Sequence, residues 1–546
     1  MSTFAKDLTQ KIRLNPMFWS DLECIWSKGI SSLITGMQSN ADNNSDGIAN
    51  ALSRQIRSAS IFAKSSMEKD RVLAQNMAVY ASLATNEVIP KQAALDILSE
   101  LGNHPGHEKL SSVVNIGTEN FNSFLRNDLL RKLNTVEISN QDFALTDFQF
   151  RLWEELPKNN VTAISAPTSA GKSFVVLEHL YRSILSADTI NAVFIAPTRA
   201  LLAEVYGKMS ARLEKEESHI RISTIPTIDS DATRKQLFIL TQERLQTLLS
   251  VWDGAFDLVI TDEAQAIGDG SRGMILQDCL ETVKSRNDKA KFLFLAPGAV
   301  GFENFNDILD VATIKVEDTQ LTPVVQNRII VKSSSNNENA LELSLLAEKK
   351  SIFLGKRESE RGFANTKTRL AAVALDLGSD GGSLVYGTGA ADAEKKAGQI
   401  ASDIDKEKEN LKELSDFIKK HVHKRYSLAS YVMKGVGFHY GKMPSLLREA
   451  IEKSFKSKDL DFLVCTTTLF QGVNLPARNV FIDTPTRGRG DALDPASLWN
   501  FAGRAGRLGL DIVGNVFLVD YDEWEEKPLT ERESFSISPS FKKSFN

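Results

Sequence analysis

The 546 residues are too many for one compact core and point to roughly three or four domains. Apolar residues at 42% and charged residues at 25% are ordinary for a globular protein, which sets aside disorder or a fibrous architecture. A net charge of −5 excludes a uniformly basic protein that coats nucleic acid, while leaving room for a basic channel on an acidic body.

Residues 1 to about 135 have helical patterning. Leu52–Lys64 and Arg71–Leu83 both carry apolar residues at helical spacing, and the polar run Ser39–Asp46 reads as a loop. The N-terminus, Met1–Asp7, has charges where a signal peptide needs an apolar core, and no apolar run approaches the roughly 18 residues that span a bilayer. A cytoplasmic chain with no membrane partner is expected. Cys24, Cys279 and Cys465 lie far apart without ligand spacing, so neither a disulfide framework nor a zinc site is expected.

From about residue 145 short apolar runs alternate with helical stretches. Val161–Ile164, Ala192–Ile195, Asp257–Ile260 and Phe292–Leu295 each end in a small or polar turn, the pattern of buried parallel strands in a doubly wound α/β domain. Leu384–Tyr386, Phe462–Val464, Val480–Ile482 and Val516–Val519 repeat it after about 325. Between them, Ala393 to about Lys420 is a charged helical stretch whose charges read as a solvated face. The expected partition is a helical accessory domain over 1–135, a first α/β domain over 136–322 and a second over 323–546. In such sheets ligands sit at the carboxyl ends of strands.

Ser165-Ala-Pro-Thr-Ser-Ala-Gly-Lys-Ser173 follows the first of these strands and opens a helix. It fits the phosphate-loop pattern GxxxxGK[ST] except that Ala166 takes the first glycine position. Backbone N–H groups of Thr168, Ser169, Ala170 and Gly171 would surround phosphate oxygens, Lys172 would reach the β and γ phosphates of ATP, and Ser173 would ligate Mg²⁺. Leu258–Gln265 is an apolar strand ending in adjacent carboxylates. Asp262 can hold Mg²⁺ through water, and Glu263 can orient and deprotonate an attacking water. His104, His107, His421 and His423 lack a third ligand at sensible spacing and read as surface or helix-end residues.

Taken together the residues resemble superfamily 2 helicases, and more narrowly their Ski-type DExH branch, over roughly residues 140 to 520. Leu145–Gln149 is similar to the adenine-reading Q motif, Ala196–Leu201 to motif Ia, and Thr241–Leu245 to a later strand-contacting motif. Asp262–Asp269 with Arg272-Gly273 resembles motif II, Val385–Thr388 motif IV and Gly437–Gly441 motif IVa. Thr466–Ala477 resembles motif V and Phe501–Arg507 motif VI. The resemblance implies two tandem RecA-like domains. It also implies Gln149 as the adenine contact, and Glu263, Gln265, Arg504 and Arg507 in catalysis, the two arginines reaching the γ-phosphate. Pro197, Thr198, Arg199, Thr241, Arg244 and Thr466 would hold the phosphates of DNA or RNA, with single-stranded nucleic acid in the channel.

Three positions depart from the family pattern. Gln265 stands where the Ski branch has histidine, and Asn500 where motif VI has glutamine. Leu295-Ala-Pro-Gly298 replaces the Ser-Ala-Thr of motif III, which links hydrolysis to strand separation. The expected activity is that of an ATP-dependent helicase or translocase; the alternative is an ATP-gated clamp on nucleic acid or protein that does not unwind. A P-loop enzyme of small molecules leaves motifs Ia, V and VI unexplained. Ski-type helicases continue past motif VI with winged-helix and ratchet domains. The short polar tail after Val519 therefore reads as the end of a two-domain core, natural or truncated. The helical N-terminal region is expected to meet a protein partner or the entering duplex, and helicases with such accessories occur in bacterial antiphage defence.

Overall fold

The computed structural model describes residues 2–34, 36–39, 45–114, 120–213, 220–227, 234–347, 350–378, 381–469, 475, 477–488, 490–530 and 534–540. These fall into two compact units. One holds residues 147–320 together with the C-terminal segment; the other holds residues 1–146 with 321–470 and 475–532.

The first unit is built on a seven-stranded sheet. Its order is Lys315–Asp318, Val161–Ser165, Lys291–Ala296, Leu258–Thr261, Ile190–Ile195, Lys235–Leu240, Ile220–Ser223, and every neighbouring pair is parallel. The four strands legible in the sequence are the four adjacent central ones. They are buried on both faces, so they are apolar along most of their length rather than alternating. One face carries Val193, Phe238, Val259 and Phe292 into a core with helix Gly270–Arg286. The other carries Ile164, Phe194, Ile239 and Ile260 into a core with helices Lys172–Ser186 and Arg199–Leu213.

The C-terminal segment is not a free polar tail. Phe535–Ser536 forms a parallel pair with Ala299–Val300, and the Ile537 amide donates to Val300 O at 2.8 Å. Ile537 itself lies in the first unit's core beside Ala299, Phe302 and Phe305. Gly301 is required there: its φ is +85°, and a Cβ would stand 2.8 Å from Ser536 Oγ. Ser540 Oγ donates to Ile267 O at 3.1 Å. The last residues thus belong with the first α/β unit, not with the 323–546 domain the sequence implied.

The second unit has a nine-stranded sheet. Six parallel strands run in the order Val325–Ser333, Val513–Val519, Asn479–Ile482, Ser383–Tyr386, Phe462–Cys465, Val436–His439. Beyond Val325–Ser333 the sheet continues with antiparallel Ala340–Ala347 and Lys350–Glu358, then with Met37–Ser39 from the N-terminal region. The charged stretch after 390 is two helices, Ala390–Ser402 and Lys412–His421. Its Lys396 is buried, donating to Tyr386 O at 2.9 Å and to Asp483 Oδ1 at 3.0 Å, an exception to the solvated face.

The helical region is fused to this sheet. Helix Pro16–Ser31 packs on strand Lys350–Glu358, where Ser27 Oγ donates to Leu354 O, and its Trp26 ring lies 5.0 Å from that of Tyr80. From helix Glu68–Leu83, Tyr80 donates to Asn327 Oδ1, and burial keeps its phenol above the ordinary range and so protonated. Asn327 Nδ2 then donates to Asn515 Oδ1 at 3.0 Å, and Asn515 Nδ2 to Asn479 Oδ1 at 3.1 Å. These are buried amides, each satisfied by the next. The helical region expected over 1–135 thus supplies an edge strand and one end of a buried hydrogen-bond line. Among the described residues no helix is long and apolar enough to cross a membrane.

Candidate active site

Strand Val161–Ser165 delivers the chain into a turn, Thr168–Ala170, and then helix Lys172–Ser186. Gly171 between them has φ +76°, and a Cβ there would sit 2.2 Å from Gln149 Nε2. The left-handed backbone is what favours glycine here. Ala166 is not left-handed, so alanine in the pattern's first glycine position costs no backbone strain; its amide donates to Ala296 O at 3.3 Å. Gln149, buried, donates to Ala170 O at 3.3 Å, which sets the expected adenine reader against the loop. Lys172 is buried with Nζ 3.3 Å from Ala166 O, folded back over the turn. Thr168 and Ser173 are exposed. Ser169 Oγ is buried and makes no hydrogen bond within the protein. No side chain caps the helix, the arrangement that suits an anion at its N-terminus.

The buried strand Leu258–Thr261 ends at Asp262, whose amide donates to Ile195 O at 3.1 Å. Glu263 then takes φ +51°, a left-handed conformation that costs on the order of 1–3 kcal/mol in a non-glycine residue and collects at functional sites. Its amide donates to Asp262 Oδ1 at 2.9 Å, and its carboxylate accepts from Gln265 Nε2. Gln265 thus holds Glu263, with its own Oε1 buried and without a hydrogen bond. Removal from water, followed by the adjacent Glu263 charge, pushes the Asp262 carboxyl up to about 6, while Lys172 pulls it down.

Among the described residues no group of three or more histidines, cysteines or carboxylates could hold a metal unaided. Mg²⁺ at nucleotide sites takes one or two protein oxygens and completes its shell with phosphate and water, so a donor set of Asp262 and Ser173 fits it. Asp262 is a crowded carboxylate that a cation would relieve. For an acid whose folded pKa is raised, the penalty on the fold is absent below the unfolded value near 4, grows to about pH 6 and is full above it. Asp262→Asn is therefore expected to raise the melting temperature of the nucleotide-free protein by a few degrees at pH 7.5 and by nothing at pH 4. Thermal scans at the two pH values check it, and an unchanged melting temperature at pH 7.5 contradicts the assignment.

Strands Ile190–Ile195 and Lys235–Leu240 end side by side, with Ile195 opposite Leu240. This brings Pro197–Arg199 next to Thr241–Arg244. Thr198 Oγ1 accepts from the Leu201 amide at 3.3 Å, Thr241 Oγ1 caps helix Gln242–Val251, and Arg244 donates to Thr224 O at 2.6 Å. Arg199 opens helix Arg199–Leu213. Arg272 ties the segments together, donating to Pro197 O and to Glu243 Oε1, both at 2.9 Å. Sequence reasoning gave Arg272 no role, although an arginine ten residues beyond Asp262 was in view.

Leu295-Ala-Pro-Gly298 closes strand Lys291–Ala296. It has no hydroxyl, but Ser165, at the base of the phosphate loop, donates to Ala299 O at 2.7 Å. The hydroxyl at this junction comes from the other partner.

In the second unit Thr466 is buried, its Oγ1 3.2 Å from Thr468 Oγ1. Thr468 Oγ1 lies 3.3 Å from His439 Nδ1, and His439 Nε2 lies 2.9 Å from Glu452 Oε1. This His439–Glu452 support was not singled out from the sequence. Residues 470–474 and 476 of the same motif lie outside the described residues. Asn500 and Arg504 are buried at the end of helix Pro495–Ala502. Arg507 is held bidentately by Asp511, at 2.7 and 2.8 Å.

Residues 146–296 match the family model described as DEAD/DEAH box helicase, and 410–509 that of the helicase conserved C-terminal domain. Over these two stretches the chain is similar to the DEAD/DEAH box helicases and to the helicase conserved C-terminal domain. It is 26% identical over 389 residues to the ATP-dependent DNA helicase Hel308 of Thermoplasma volcanium, covering 68% of this chain and 52% of that one. To the Hel308 of Thermoplasma acidophilum it is 27% identical over 384 residues, with the same coverage. To DNA polymerase theta of Drosophila melanogaster it is 26% identical over 392 residues, covering 65% of this chain and 18% of that one. The chain spans about half the length of the Hel308 relatives it matches. The solved structure of the DUF1998 helicase MrfA bound to DNA is similar at a TM-score of 0.48 and 15% identity, covering 70% of this chain and 46% of that one.

Proposed function

We propose that the chain hydrolyses ATP in response to DNA and uses the hydrolysis to move along or separate strands. The observation that carries the reading is the carboxylate pair Asp262–Glu263, strained at Glu263 and within the electrostatic reach of Lys172 on the phosphate loop. In this reading Lys172 and the Thr168–Gly171 amides bind the phosphates and Gln149 reads adenine. Bound through Asp262 and Ser173, Mg²⁺ supplies charge neutralisation on the phosphate oxygens. Glu263 accepts the proton of the attacking water, and Gln265 holds Glu263 in place. Arg504 and Arg507 provide the stabilising cations for the γ-phosphate, Arg507 after exchanging Asp511 for it. Pro197, Thr198, Arg199, Thr241, Arg244 and Thr466 hold the DNA backbone, with backbone groups contributing where hydroxyls serve as caps. DNA is preferred over RNA because the Hel308 relatives are named as DNA helicases. The motif series supports a Ski-type branch, and a defence role against phage belongs to the same reading.

ATP turnover should rise at least about tenfold with single-stranded DNA and fall back steeply with salt as backbone contacts release their counterions. A coupled phosphate-release assay with matched DNA and RNA oligonucleotides checks this; equal rates with and without nucleic acid contradict it. One observation favours a clamp that does not unwind: Leu295-Ala-Pro-Gly298, in the place of motif III, carries no hydroxyl. A strand-displacement assay distinguishes the two, since the clamp hydrolyses ATP and leaves the duplex intact.

A further inference from the structure

Arg272 reaches two loops with one side chain. Strands Leu258–Thr261, Ile190–Ile195 and Lys235–Leu240 are neighbours in the sheet, with Ile195 opposite both Thr261 and Leu240, so their carboxyl ends lie in a row. The first strand leads into Asp262 and Glu263, then the turn Ala264–Gly268, after which helix Gly270–Arg286 starts. The other two lead into Pro197–Arg199 and Thr241–Arg244. From the first turn of the helix Arg272 donates through Nη2 to Pro197 O and through Nε to Glu243 Oε1, both at 2.9 Å. Partial burial alone would raise the Glu243 carboxyl, but the Thr241 hydroxyl, its own amide and Arg272 hold it below the ordinary range and so ionised. Arg272 is equally bound to the turn behind it. Its amide donates to Asp269 O at 3.2 Å, and a Cβ on the next residue, Gly273, would stand 2.1 Å from Ile267 O. Helix and turn are therefore in direct contact.

Solvent reaches both side chains of the Arg272–Glu243 pair, and such exposed pairs add little to the stability of a fold. Nor is Arg272 a spare cation for a strand phosphate, because Glu243 already balances its charge. What the pair does is set geometry. A guanidinium is a planar fork, so two partners held by different nitrogens are fixed in direction as well as distance, which a lysine ammonium cannot do. We infer that Arg272 is a positioning residue: it holds Pro197–Arg199 and Thr241–Arg244 at a set spacing and joins both to the turn that follows Glu263. Binding of a strand at those segments reaches the carboxylate pair through this side chain. The inference rests on the DNA-dependent hydrolysis proposed above and adds the part that relays the DNA signal; Arg272 itself meets no reacting atom.

The test measures ATP hydrolysis by the full chain with and without oligo(dT), together with the melting temperature. Arg272→Ala should lower the stimulation by about fivefold or more, while the DNA-free rate and the KM for ATP stay within about twofold of wild type. Its melting temperature should not move. Glu243→Ala should lose stimulation as well, although removing an acid from this surface would on charge alone favour DNA. Glu243→Gln keeps an acceptor oxygen at the same reach and should restore the stimulation. Arg272→Lys keeps the charge without the fork and should behave like the alanine variant. The double variant Arg272→Ala/Glu243→Ala should be no worse than Arg272→Ala alone, because both changes cut one linkage. Wild-type stimulation in Arg272→Ala overturns the inference, as do additive losses in the double variant. Full rescue by Arg272→Lys overturns it by assigning the residue to charge. A DNA-free rate that falls as far as the stimulated one overturns it by assigning the residue to the fold. A wild type that oligo(dT) does not stimulate overturns the proposed function itself, and the relay with it.

Discussion

Lys172→Ala and Glu263→Gln are each expected to lower DNA-stimulated ATP turnover by at least about 1,000-fold, for different reasons. Lys172 is buried and drawn onto Ala166 O, so its removal deletes the cation that meets the β and γ phosphates. ATP binding should weaken with turnover. Glu263 is held by Gln265 in a strained backbone conformation beside Asp262. Glutamine keeps the shape and a hydrogen-bonding end but cannot accept a proton. Glu263→Gln should therefore bind ATP as well as wild type, or better, and fail to turn it over. Equilibrium binding of a fluorescent nucleotide alongside phosphate release separates the two behaviours. Hydrolysis at wild-type rate by either variant removes the site assignment.

Ile537→Asp is expected to destabilise the first α/β unit by about 3 kcal/mol or more. Ile537 is 1% exposed among Ala299, Phe302 and Phe305, and an unpaired carboxylate there has no partner. Ile537→Val, which removes one methylene, should cost only about 1 kcal/mol. The larger change would release the segment that clamps Ala299–Val300 and reaches Ile267, adjoining motifs III and II. Thermal unfolding reads the stability, and limited proteolysis reads the release as a cut near the C-terminus. A melting curve superimposable on wild type would show that the segment contributes nothing to this core.

The central architecture was legible because its strands are buried on both faces. Val161–Ser165, Leu258–Thr261 and Lys291–Ala296 are apolar over most of their length, so they stand out from their surroundings. The edge strands Lys315–Asp318 and Ile220–Ser223 were missed because they are half-solvated and carry charges, as in Lys-Val-Glu-Asp and Ile-Arg-Ile-Ser. Met37–Ser39 was missed for another reason: three residues carry no period, and they become a strand only against Lys350–Glu358. At the site, the loop and the carboxylate pair were readable as chemistry fixed by spacing. The engagement of Gln265 with Glu263, of Ser165 with Ala299, and of His439 with Glu452 was not. Each joins residues whose meeting depends on the backbone course. The docking of Ile537 is the extreme case, since its partners precede it by over two hundred residues.

The amide line that begins at Tyr80 bears on how such a chain could be assembled from parts. Segments travel between genes most readily when their borders sever few buried hydrogen bonds. A border near residue 135 would strand Asn327 without its phenol and strip the strand Met37–Ser39 from its sheet. Borders near 146 and 320, where the chain passes from one unit to the other, sever neither. Exchange of the first α/β unit would in addition have to carry residues 535–540, which complete its core, so that unit is drawn from two separate stretches of the chain.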